Sequence, residues 1–239
     1  MNKILINIII ILISLNLKLF GQHFPMNLPN YDKKQWHFGF TLGFNDMNFR
    51  THFVDVDEYN RNVLIIEPVS SQGLNVGIVS NKRLVEYLDL RLVPSLSFGE
   101  RMLRYTIFEN DTSYKTYIKN VESTMLDIPL TLKYKSKRLP GKGKNMRVYV
   151  LGGLRYSIDF ASQKNKKSNN DDIIIKLKPH DFMLTTGVGF DFYFEWFKFG
   201  IEIQSSFGMM DILYQENNIF TSNIQKMTSQ ITWLTFTFE

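Results

Sequence analysis

The chain has 239 residues and no cysteine, with 28 basic against 23 acidic side chains and a formal net charge of +5. Without cysteine there is no disulfide framework, no thiol metal site and no lipid-attachment residue. The charge excess is too small for a nucleic-acid protein, and neither a zinc-ligand spacing nor a basic amphipathic helix is present.

Met1-Asn2-Lys3 leads into an almost unbroken apolar run from Ile4 to Leu17, which closes on Lys18-Leu19-Phe20-Gly21-Gln22. A short basic start, an apolar segment and a small residue before a cut read as a secretory signal, cleaved after Gly21. A membrane-anchoring helix needs about 20 apolar residues, and this run is shorter and ends in a lysine. Removing it takes away Lys3 and Lys18 and lowers the net charge to +3.

Beyond the signal, apolar residues recur at period two, the mark of a half-buried strand. In Trp36–Phe44 the even positions are large and apolar, and the odd ones are small or polar. Leu74, Val76 and Ile78 continue the pattern, followed by Leu88, Leu90, Leu92, Leu96 and Phe98, then by Leu126, Ile128, Leu130, Leu132 and Tyr134. In the second half Val148 to Phe160, Phe182 to Phe192, Phe197 to Phe207 and Leu234 to Phe238 repeat it. These are eight segments of about the 9–11 residues that a tilted membrane strand needs.

The apolar face of these segments carries no charge, whereas the other face carries Asp89, Arg91, Asp127, Lys133, Arg147, Arg155, Asp159, Asp191, Lys198 and Glu202. A secreted soluble sandwich or lipocalin-like barrel would share the alternation with opposite polarity. Two rims of aromatics argue for the membrane version: Trp36, Tyr134, Phe192, Phe197 and Phe238 at one, Phe44, Phe98, Phe160, Phe182 and Phe207 at the other. Such girdles around an aliphatic belt dress an outer-membrane barrel. The expectation is an all-β, antiparallel up-and-down transmembrane barrel of eight strands.

Connection lengths agree. Residues 45–73, 99–124, 161–181 and 209–229 form long connections, and 80–86, 136–145 and 193–196 short ones, in strict alternation. Long external loops and short periplasmic turns put both termini in the periplasm. The expected division is a signal at 1–21, a periplasmic lead at 22–35 and the barrel at 36–239. Tyr105–Phe108 and Tyr117–Val121 look like strands that continue beyond the membrane.

An eight-stranded interior is just wide enough for side chains to fill. Five acidic and five basic inward residues therefore predict a paired plug rather than an ion pathway, because an unpaired buried charge costs several kcal/mol. Gly39, Gly43, Gly153, Gly187, Gly189, Gly200 and Gly208 leave room for the long basic stems.

Chemistry is scarce. His23, His37, His52 and His180 have no neighbour at metal-ligand spacing, and no phosphate loop or nucleophile motif occurs, so no cofactor, metal or catalytic residue is expected. His37 is expected to be a hydrogen-bonded structural residue in the lumen. His180-Asp181, where a long loop re-enters the barrel, is the one feature that fits a lipid-modifying enzyme. Lys135, Lys137, Arg138, Lys142 and Lys144 cluster around one short turn, either as a solvated turn or as a dock for an acidic partner. Lys164, Lys166, Lys167, Asp171, Asp172, Lys176 and Lys178 could bridge lipopolysaccharide phosphates.

Four segments carry a family resemblance. They are Asn27-Leu28-Pro29-Asn30-Tyr31-Asp32 running into His37–Asn45, Asp127-Ile128-Pro129-Leu130-Thr131-Leu132-Lys133-Tyr134 through Arg138, Gly152-Gly153-Leu154-Arg155-Tyr156 through Lys164, and Gly189-Phe190-Asp191-Phe192-Tyr193 through Phe199. In this order they resemble the PorT family of outer-membrane barrels. The resemblance implies participation in type IX protein secretion and, in gliding bacteria, in motility, with other secretion-system proteins as partners. A narrow filled barrel would then be an accessory of the translocon, docking through Gln22–Gln35 and the basic turn. The competing readings are a passive structural or lipopolysaccharide-binding barrel and, less favoured, the lipid-modifying enzyme.

Overall fold

A computed structural model describes residues 26–54, 63–110, 113–139, 144–162, 175–216 and 220–239. The signal, the start of the lead, Lys142 and most of the lysine-rich loop lie outside the described residues. Ten strands form one antiparallel sheet: β1 (Trp36–Phe53), β2 (Val63–Val69), β3 (Ser71–Arg83), β4 (Leu88–Leu92), β5 (Ser95–Asn110), β6 (Ser113–Lys135), β7 (Met146–Asp159), β8 (His180–Tyr193), β9 (Lys198–Gly208) and β10 (Ile224–Phe238). The sheet closes on itself, because β1 pairs with β10 along one edge and with β3 along the other. Closure leaves no bare edge in the belt, which is the condition for a sheet to sit in hydrocarbon.

Ten strands replace the expected eight, and the reason is local. The chain makes eight passes, two of them interrupted. Pro94 has no N–H to donate, so β4 and β5 part at Val93-Pro94, although Leu92 opposite Ser80 and Ser95 opposite Gly77 keep one register. At Ser70 the register itself shifts: Val69 faces Met102 and Leu74 faces Phe98, five residues against four. One extra residue on one strand is a β-bulge, and it splits β2 from β3.

The polarity is that of a membrane barrel. Phe38, Phe40, Leu42, Val76, Ile78, Leu130, Val150, Val188 and Ile203 face outward and are exposed, while the ten charged residues of the opposite face are all buried. Trp36, Tyr134 and Phe197 are exposed at the end with the short turns, and Phe44, Phe98, Phe160, Phe182 and Phe207 at the end with the long connections. Phe192 and Phe238 are only half-buried among their neighbours.

At the long-connection end the strands outrun the belt. β5 and β6 continue as a hairpin to Asn110 opposite Ser113, and β1 stays paired with β10 as far as Phe53 opposite Ile224. Much of what the residue pattern assigns to the first and third loops is therefore strand. Inside this extension the facing side chains turn apolar: Phe49, Leu103, Tyr105, Val121, Ile212 and Phe220 belong to one cluster. A smaller layer of Met47, Met125, Met183, Ile231 and Trp233 lies within the barrel proper.

A charge on the outward face tests this orientation. Leu130 lies midway along the belt, opposite Leu92 on one side and Leu154 on the other. Leu130→Lys should destabilise the lipid-embedded barrel by about 2–4 kcal/mol, measured by denaturant unfolding in vesicles. A loss near zero would place that face away from lipid.

Candidate functional site

The lumen is filled from the turn end upward by paired charges. Strand alternation aims each of these side chains inward, and the register of neighbouring strands sets the heights at which they meet. Lys135 Nζ lies 2.8 Å from Asp89 Oδ1, and Asn81 donates to the same carboxylate at 3.0 Å. Lys133 reaches Asp191 at 2.7 Å and lies 3.5 Å from the centre of the Tyr149 ring. Arg91 pairs with Glu202 at 2.5 Å and also donates to Thr237. Tyr149 donates to Glu202 at 2.7 Å, and Gln204 is a further donor to it. A Cβ at Gly189 would lie 2.4 Å from the Tyr149 ring, so only glycine leaves that phenol its place.

Next come Arg155, 3.7 Å from Asp127 and donating to the Gln204 side-chain oxygen Oε1 at 2.8 Å, and Ser97 and Ser157, which both donate to Asp127. The small methionine layer follows. Beyond it Arg101 pairs with Asp159 at 2.7 Å and donates to Ser123 and Ser229. Carboxylates in this network are met by two or more donors, the condition under which buried ion pairs are tolerated.

All ten residues predicted to face inward are buried; eight of them form this lumen network, and Lys198 joins it at the mouth, 4.0 Å from Asp191. Arg147 belongs instead to a second assembly at the mouth, formed by the lead. A short 3-10 turn (Tyr31–Lys33) folds back across the turn end. Asp32 takes Arg138 at 3.0 Å and Arg147 at 3.2 Å, and its carbonyl oxygen takes Arg83 at 2.5 Å. Arg138 also donates to the carbonyls of Asn27 and Leu28 and stacks over Tyr193 at 3.7 Å. Leu28 is held at φ 47°, a left-handed conformation that a leucine adopts only under such restraint. Asn27 donates from its backbone to Asn145 and from its amide to Tyr193.

Tyr31 donates to Glu239 at 2.8 Å, and Lys198 closes on the same carboxylate at 2.7 Å. Burial, and after it the Glu239 carboxylate, push the Tyr31 phenol up, so it remains a donor. His37 stacks on Tyr31 with ring centres 4.1 Å apart, and its Nε2 lies 2.8 Å from the Tyr31 carbonyl oxygen. The lead thus ties the β3–β4, β6–β7 and β8–β9 turns to the barrel's closing seam.

This geometry corrects two sequence expectations. Lys135 and Arg138 are not part of a free basic turn: both are buried, one paired to Asp89 and the other to Asp32. Lys137 and Lys144 remain exposed. His180 and Asp181 do not form a catalytic pair, because successive residues of β8 point to opposite sides of the wall. His180 is exposed outside, 2.9 Å from the Tyr156 hydroxyl, and Asp181 is buried inside. Lys176 and Lys178 engage Glu216 and Asp211 of the neighbouring loop.

The residue pattern missed Asp32, Arg101, Glu239 and the inward role of Lys135 and Arg138. Parity along the strand would have found two of them. Lys135 follows Asp127, Thr131 and Lys133 at even spacing, and Arg101 follows Ser95, Ser97 and Gly99 in the same way.

A closed, apolar-walled β-barrel with a charge-filled lumen and a capped mouth is an integral outer-membrane barrel. The chain belongs to the outer membrane protein beta-barrel domain family, whose model matches residues 20–214. The crystal structure of the outer membrane protein OprG from Pseudomonas aeruginosa has a similar fold, at TM-score 0.50 and 12% identity over 85% of this chain and 94% of that one. The N-terminal β-barrel domain of OprF from the same organism aligns at 14% identity over 82% and 97%, but with a TM-score of 0.29 it carries no argument. No protein of curated function matches the chain in sequence.

Two measurements probe the site. Arg91→Met strands Glu202 and should cost about 3–5 kcal/mol, whereas Arg91→Met with Glu202→Leu should recover most of that stability, read by unfolding in detergent. Asp32→Ala should free the lead, so that trypsin cuts after Lys33 or Lys34 at least tenfold faster than in the parent protein.

Proposed function

We propose that this protein is a non-enzymatic accessory of type IX protein secretion, placed in the outer membrane with both termini and the capped mouth in the periplasm. The observation that carries the reading is the filled lumen of a chain whose segments resemble the PorT family. A tube filled along its length by its own side chains, ion pairs and apolar layers alike, does not conduct a folded cargo, so its contribution is to hold or place other components.

The location of the resembling segments supports a docking role. Three of the four converge on the mouth: the lead with the start of β1, the end of β6 with its turn, and the β8–β9 turn. Around that mouth Lys33, Lys34, Lys137 and Lys144 are exposed, a basic rim suited to an acidic partner surface. Arg138 contributes from within, by holding the lead in place.

An in-frame deletion tests the proposal. Cargo bearing a C-terminal sorting domain should accumulate in the periplasm and return to the medium when the intact gene is restored. Normal export would leave a passive structural barrel. In a second strain, Lys137, Lys142 and Lys144 exchanged together for Gln should lower export several-fold while the barrel keeps its heat-modifiable gel migration. Export at the parental level would remove the basic rim as the dock.

A further inference from the structure

We propose that the outer wall binds one membrane lipid whose headgroup joins a phosphate to a primary amine, with an acyl chain in an apolar groove and the amine at Glu100 and Glu122. Leu42, Phe44, Leu74, Val76, Phe98 and Phe236 border that groove, which measures about 490 Å³. Its floor is the Gly43–Asn75 pair, where glycine has no side chain and Asn75 is buried. The volume falls within the roughly 300–1,000 Å³ of small-ligand sites.

Leu74 and Phe98 also border a second recess, of about 700 Å³, which continues past them to Ser71, Gln72, Glu100, Glu122 and Thr124. It lies where the ladder between β3 and β5 stops, at Leu74 opposite Phe98, before the bulge at Ser70. The groove is thus apolar within the belt and polar beyond the aromatic rim. Glu100 is two residues past Phe98, about 7 Å further along the strand, which sets it in a headgroup layer about 5–7 Å deep. That succession of surfaces matches a lipid lying along the wall.

The charge decides the headgroup. Glu100 and Glu122 are directly opposite each other on β5 and β6, and both are exposed. Like charges so placed repel across about 5 Å, and a cation between them removes the cost. Arg104, on the same outward face, is engaged by Glu67 at 3.5 Å. Among the described residues no three acidic or histidine side chains come together to hold a metal ion, so the pair suits a single positive charge. A primary ammonium brings three N–H donors to the two carboxylates. Ser71 and Gln72, on the same recess, supply O–H and N–H donors for the adjoining phosphate.

The test is native mass spectrometry of the full barrel in detergent, offered phosphatidylethanolamine, phosphatidylcholine and phosphatidylglycerol with identical chains. Phosphatidylethanolamine should be retained about fivefold over phosphatidylglycerol, the scale of one exposed ion pair. Phosphatidylcholine, with the same positive charge but no N–H donor, should fall between them. Glu100→Gln with Glu122→Gln should bring the three lipids to parity in a barrel that keeps its heat-modifiable gel migration. Val76→Trp, which fills the groove, should lower the retention of all three. Parity of the lipids on the parent barrel, or a preference that survives the double exchange, overturns the carboxylate site. Phosphatidylcholine held as well as phosphatidylethanolamine overturns the primary amine, and unchanged retention by Val76→Trp overturns the groove.

Discussion

Charge inside an eight-pass barrel has to be neutralised pair by pair, because the tube is wide enough only for side chains and the wall outside it faces lipid. This constraint organises the rest of the molecule. It sets strand register, since a slip of one residue would turn every inward charge toward hydrocarbon. It explains the glycine beside Tyr149, which gives a phenol room to reach a carboxylate on another strand. It also explains why the lead is folded into the mouth. Without Asp32, Arg138 and Arg147 would lie at the end of the lumen with no acidic partner among the described residues.

The plug is graded along its length. At the turn end it is ionic and closed by the lead, in the middle it narrows to methionine, isoleucine and tryptophan, and beyond Arg101 it becomes an apolar core inside strands that project past the belt. The last region resembles the interior of a soluble protein, with apolar side chains turned in and Arg104 and Glu67 paired on the outside. One set of strands therefore reverses its polarity where it leaves the membrane. Alternation continues through Arg101, Leu103 and Tyr105, while the character of the inward residue changes.

Much of this was legible in the residues. Period two and the uncharged face gave the barrel, its orientation toward lipid and the inward placement of all ten charged side chains. Alternation reports which face a residue occupies, not what it meets across the lumen. Arg91 and Glu202 are 111 positions apart, and no local pattern encodes that pairing. The breaks at Ser70 and Pro94 were missed because one is a shift in pairing and the other a lost donor, and neither disturbs the apolar rhythm. The basic turn was misread because Lys135 and Arg138 were grouped by proximity in sequence. Lys135 lies on the inward parity of β6, and Arg138 is drawn in by a lead whose described residues hold a single 3-10 turn.

The contact between Tyr31 and Glu239 spans 208 positions of the chain. Glu239 is set beside the lead by the pairing of β10 with β1, whereas Asp32 and Asn27 are held by residues of other strands and turns. The lead therefore carries one contact that only the closed circle can supply, beside several that single turns supply on their own.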